Sequence, residues 1–207
     1  MAAVHGHLGD EAPFPFRHAV ESLRTARLRA EVRIEETAAP RRLAAYAYAL
    51  EATVRVDGEE LADGRLVLLH EPDGQEAWHG DLRVVTLTRA ELEPEMAGDP
   101  LLPEVSWSWL TGALAARGAA YGEPSGTVSR ASSHYFGGLA DREDETQIEI
   151  RASWTPREAG GEAPDLAAHL AAWCDLLCAC AGLPPSDAPD SPVRGASGVV
   201  PLPKRRT

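Results

Sequence analysis

Lysine occurs once in these 207 residues, cysteine three times, and aromatic residues make up only 6% of the chain. The other 19 of its 20 basic residues are arginine, which fits a GC-rich coding sequence and says nothing about mechanism. No apolar run approaches the roughly 20 residues that a membrane-crossing helix needs. The start has no basic segment leading into an apolar one, and Gly, Asp, Glu and Pro interrupt it between Gly6 and Pro15, so no secretory leader is expected. All three cysteines, Cys174, Cys178 and Cys180, fall within seven residues of one helical segment. They cannot staple distant parts of the chain together, which fits a reducing compartment and a cytoplasmic protein. The His-Glu-x-x-His spacing, the Gly-x-Ser-x-Gly elbow and the phosphate-loop pattern are all missing; Gly122-Glu123-Pro124-Ser125-Gly126 lacks a lysine and reads as a turn.

What is present is a globular composition, 44% hydrophobic and 25% charged, with enough length for one core. The net charge is −12, and it is concentrated: residues 51–187 hold nine basic and 25 acidic side chains. Such a centre repels phosphate backbones, which disfavours nucleic acid and anionic membrane as partners and leaves nucleic acid only the basic run Lys204-Arg205-Arg206.

Residues 1–13 are small, polar and aperiodic, and 184–207 hold six prolines in 24 positions. Both are expected to be disordered tails around one domain spanning 14–183. Within it, Phe16, Ala19, Val20, Leu23 and Ala26 recur at helical spacing. Val32 and Ile34 alternate with charges as a short strand, and Tyr46 to Val56 alternates with period two as the clearest strand in the chain. Turns are expected at Asp57-Gly58, Asp63-Gly64 and Pro72-Asp73-Gly74, with strands at Leu66–Leu69 and Leu82–Thr88 between and after them. Tight connections of this kind imply an antiparallel meander. A helix follows over Pro103–Arg117, then two strands, Val128–Phe136 and Ile148–Thr155. Last comes a helix opened by Asp165 and stopped at Gly182. The fold class is therefore α+β: an antiparallel sheet of five or six strands with three main helices, ordered helix, strands, helix, two strands, helix.

Five segments carry a family resemblance: Pro15 to Val20, Glu91 to Met96, Asp99 to Glu104, Ser133 to Gly138 and Trp173 to Leu177. Together they resemble an uncharacterised actinobacterial family, the domain of unknown function numbered three thousand. The likeness spans about 14–184. It implies an actinobacterial cytoplasmic protein and brings no activity, cofactor or catalytic residue with it. The element order is also loosely similar to that of class I secretion chaperones, small acidic dimers that bind other proteins, although a strand at Val32–Glu35 and a longer body depart from them. Fold analogy alone does not license a function.

Two places invite a functional reading. Trp107 and Trp109 are separated by roughly 200° around a helix, so Trp107 can join the stripe of Leu110 and Leu114 while Trp109 is directed towards the surface. Trp109 is then a candidate for contact with a partner or a second copy, unless the fold buries both. The run Ser132-Ser133-His134-Tyr135 beside Gly137-Gly138 holds a possible base and hydroxyl nucleophiles, but neighbours on a strand face opposite ways, and a hairpin turn accounts for it equally. The cysteines are expected to pack as small hydrophobes, because Cys180 is rotated away from the face that Cys174 and Cys178 share; no metal and no other cofactor is expected. The leading expectation is a non-enzymatic protein-binding or adaptor domain, with an unknown protein partner or a homodimer. The alternative is a small-molecule-binding protein or enzyme centred on 132–138.

Overall fold

The computed structural model describes residues 12–185 and 191–192. His5, His7 and the basic run at 204–206, with most of both expected tails, lie outside the described residues. In chain order the elements are α1 (Phe14–Arg24), β1 (Arg27–Leu28), β2 (Val32–Thr37), β3 (Tyr46–Val56), β4 (Glu59–Gln75), β5 (Gly80–Glu91), α2 (Pro94–Ala97), α3 (Leu102–Ala116), β6 (Tyr121–Ser133), β7 (Glu145–Pro156), α4 (Leu166–Cys180) and β8 (Ser191–Pro192). Strands β2 to β7 form one six-stranded antiparallel sheet in the order β2-β3-β4-β5-β7-β6. The class, the element order and the three main helices are those expected from periodicity. A second, two-stranded pairing joins β1 to β8, so Ser191–Pro192, in a segment expected to be tail, reaches back to the turn after α1.

One face of the sheet carries the core. Leu50, Ala52 and Val54 of β3, Leu66 and Leu68 of β4, Val84 of β5 and Ile148, Ile150 and Trp154 of β7 all point into it and are buried. Helix α4 lies across that face between α1 and α3, and it is apolar on almost every side because almost every side is covered. Its start is capped by the Asp165 carboxylate, which accepts from the Ala168 amide at 3.2 Å. Its end turns at Gly182, φ +72°, where the Leu183 amide returns to the Cys178 carbonyl at 2.9 Å. Two buried indoles anchor α4 and β7: Trp173 donates to Thr88 Oγ1 and Trp154 donates to His169 Nδ1, each at 3.0 Å. Truncating such a side chain typically costs about 3–5 kcal/mol.

The turns differ from expectation in three places. Asp57-Gly58 is the two-residue reversal between β3 and β4, with both residues at positive φ as a type I′ turn requires. Asp63-Gly64, in contrast, lies inside β4. Gly64 is there because the Trp173 ring crosses it: a Cβ at Gly64 would come within 2.8 Å of Trp173 Cζ2. Pro72-Asp73-Gly74 is an irregularity within β4, marked by a register shift between His70 and Gln75, and the chain reverses after it through a 3-10 turn at Glu76–Trp78 and a left-handed His79. Gly122 to Gly126 is likewise strand, not turn. Strand β6 starts at Tyr121 and absorbs Glu123 and Pro124 as a bulge. Gly126 gives room to the Trp107 ring, 2.7 Å from where its Cβ would stand.

Candidate functional site

The residues singled out from the sequence do not come together. Trp107 and Trp109 are both half-buried against the main core on α3, and the exposed large apolar side chains near that helix are instead Leu101 and Val105. Ser132 to Tyr135 lies at the far end of β6, six residues and about 20 Å along the strand from the glycine beneath Trp107. There the Ser132 hydroxyl meets Thr146 Oγ1 at 2.9 Å, and His134 Nδ1 meets Asp144 Oδ2 at 2.6 Å, an exposed pair. Ser133 is exposed and pairs through its backbone with Glu145. Tyr135 lies under the Arg142 guanidinium, and its hydrogen bond with the Glu145 carboxylate holds the phenol above its usual range. The chain then leaves the sheet through Phe136, 81% exposed, and a 3-10 turn at Gly137–Leu139.

The three cysteines are buried on α4, and burial, followed by the Cys178 neighbour, pushes the Cys180 thiol up to about 12. Among the described residues no group of three or more His, Cys, Asp or Glu side chains could hold a metal ion, and no helix is long and apolar enough to cross a membrane.

A different place is more completely built. Among the described residues no helix lies on the sheet's second face. At one end, the 38–45 loop and the turn carrying Trp78 cover Ala49, Val67 and Leu69. Arg65 ties that loop down by donating to the Ala38 carbonyl, and the Glu71 carboxylate accepts from the Ala45 amide at 3.1 Å. From the edge of that cover, at Val67, the sheet register sets out two rows across the strands: Val67, Val85, Ser153 and Ser125, then Arg65, Leu87, Arg151 and Thr127. These rows line a basin of about 530 Å³.

The cations that border the basin are paired, and one buried cation beside it is not. Arg65 pairs with Glu51 at 3.9 Å, Arg89 with Asp63 at 2.6 Å and Arg151 with Glu149 at 2.7 Å. Arg83, only 7% exposed, has no carboxylate within 4.0 Å among the described residues. Its guanidinium instead donates to three hydroxyls: Thr155 Oγ1 at 3.0 Å, Ser125 Oγ at 3.1 Å and Ser153 Oγ at 2.8 Å. Burial lowers its pKa, and the charge of Glu123 opposes that shift from a distance, being engaged with His79 at 3.2 Å and Arg157 at 4.0 Å. A buried cation without a counter-ion is costly, and proteins usually pair it.

None of Arg83, Ser125, Ser153 and Thr155 stood out in the sequence. Their signal is the polar half of the period-two alternation in β5 and β7, which looks the same whether that half faces solvent or a site.

Residues 12–189 match the family described as a protein of unknown function, DUF3000. The chain belongs to the DUF3000 family. No curated protein matches it, and no solved structure does. The DUF3000 match covers every element that builds the basin and runs through all three main helices. The similarity to secretion chaperones rests on element order alone and brings nothing to the site.

Proposed function

We propose that this chain is a non-enzymatic protein-binding domain that receives a segment of a partner protein on the sheet face opposite its helices. The observation that carries this reading is the pair of half-buried apolar side chains Val85 and Leu87 beside the covered Val67, on the face opposite the helices, bordered by hydroxyls and guanidinium groups. A surface with an apolar centre and a polar, arginine-bearing rim is the usual anatomy of a recognition face. The basin is shallow and runs across β4, β5, β7 and β6, which suits an extended segment better than an enclosed small molecule.

Substitution of Leu87 by Glu tests it, because Leu87 lies outside the core and its loss leaves the helix-covered face intact. Affinity capture with the intact chain as bait in its own cells should retain a defined protein that Leu87→Glu loses, with an unchanged melting temperature. Ser129→Glu, on the exposed part of β6 away from the basin, should retain it. Equal capture by both variants would place recognition elsewhere. The next place is then the hairpin end, where Phe136 and Leu139 are exposed beside the His134–Asp144 pair.

A further inference from the structure

Arg83 is a buried cation beside the basin with no carboxylate within 4.0 Å among the described residues, and the basin edge holds a second unmet group. Arg65 Nε is buried and has no hydrogen-bond partner among the described residues. The two lie on either side of the Val67–Val85 row. The chemistry next to Arg83 is specific. Ser125 and Ser153 each accept from its guanidinium, and their oxygens are 3.1 Å apart. A hydroxyl whose lone pair is engaged by a guanidinium still has its own proton to give. Thr155 gives its proton to the Trp78 carbonyl at 2.6 Å, so it is occupied. The two serines can at most share one proton between themselves, and both line the basin.

We infer that the Arg83–Ser125–Ser153 cluster is a carboxylate-binding site, and that the segment received on this face carries an acidic side chain beside apolar ones. The inference rests on the reading of the open face as a docking surface and goes beyond it by naming the partner's chemistry. Both serine hydroxyls turn outward and donate to the carboxylate oxygens, while their own oxygens remain acceptors for Arg83. The guanidinium thus supplies charge from beneath and the hydroxyls supply the contact, a charge-assisted arrangement. One uncompensated positive charge calls for one negative charge. A phosphate dianion would leave an excess of negative charge on a chain already at −12. Strand geometry gives the spacing: Arg83, Val85 and Leu87 follow one another at alternate positions of β5, about 7 Å apart, so an extended segment alongside presents acid, then apolar, then apolar side chains at its own alternate positions.

The test uses the full chain and two capped peptides, acetyl-Glu-Ser-Val-Ser-Leu-amide and its Gln counterpart, followed by amide and arginine side-chain NMR shifts. The Glu peptide should bind at least tenfold more tightly than the Gln peptide, moving the Arg83 side-chain signal and the Val85 and Leu87 amides. That preference should vanish in Ser125→Ala/Ser153→Ala, with an unchanged circular dichroism spectrum as the check that the loss of two Arg83 acceptors leaves the fold in place, and in Arg83→Met if that variant folds. Equal binding of the two peptides with shifts at Val85 and Leu87 overturns the carboxylate site but keeps the docking face. No shift on this face with either peptide overturns both. Displacement of the Glu peptide by equimolar hexanoate would show that a small carboxylate suffices and overturns the polypeptide as occupant, and equally tight binding of inorganic phosphate would overturn the preference for a single negative charge.

Discussion

His169, on α4, is fully buried and accepts the Trp154 indole N–H on Nδ1, so the ring is neutral with its proton on Nε2. Burial lowers its pKa to about 4, against a weaker opposing pull from the Asp165 carboxylate and the Ala120 backbone. An unfolded histidine titrates near 6.5, so above that pH neither state holds the proton and the ring contributes no pH dependence. As pH falls from 6.5 towards 4 the unfolded state binds a proton that the folded state refuses, and stability is lost at about 1.4 kcal/mol per unit, roughly 3 kcal/mol in all. His169→Gln keeps an acceptor for Trp154 without a titrating ring. Denaturant titrations at pH 7 and pH 4.5 should show a smaller acid loss in the variant by about 2–3 kcal/mol. Arg83 is the opposite case for a reader of sequence. Between Leu82 and Val84 it looks like the solvated half of a strand, and only the register that brings Ser125 and Ser153 beside it, from strands far along the chain, marks it as a site.

The helical layer and the sheet are fitted to each other by two glycines that the sequence presents as turn residues, Gly64 under α4 and Gly126 under α3. At Gly64 a methyl group meets the Leu87 carbonyl and Trp173, both held in place by the core; at Gly126 it meets Trp107 and the β7 backbone. Gly64→Ala should therefore destabilise by about 1–3 kcal/mol through overpacking, and Gly126→Ala by less, because Trp107 is half-buried and α3 lies at the edge of the helical layer. Thermal unfolding of the two variants checks the order. The helices themselves were legible because apolar residues at 3.6-residue spacing, Asp165 before α4 and Gly182 after it are all local signals. The bulges of β4 and β6 were not. Gly and Pro serve turns and strand irregularities alike, and which one forms depends on the neighbouring strand that continues the ladder.

At the scale of the molecule, the segregation of helices from strands was enough to derive an α+β fold with helices packed on an antiparallel sheet. In the structure the three main helices share one face, and among the described residues no helix lies on the other. Sequence periodicity assigned alternate residues to two faces but could not say that the 38–45 loop and the Trp78 turn cover only one end of the second face. Past that cover lie the half-buried Val85 and Leu87 with Arg83 at their border, the place proposed here for the partner. The most direct measurement places a benzoylphenylalanine photo-crosslinker at position 87, and at position 136 as a comparison, in the full chain expressed in its own cells. Mass spectrometric mapping should find position 87 joined to one extended segment of another protein, with an acidic residue next to apolar ones, and position 136 without that adduct. A crosslink to the same partner from position 136 alone, with position 87 unreacted, would contradict the account.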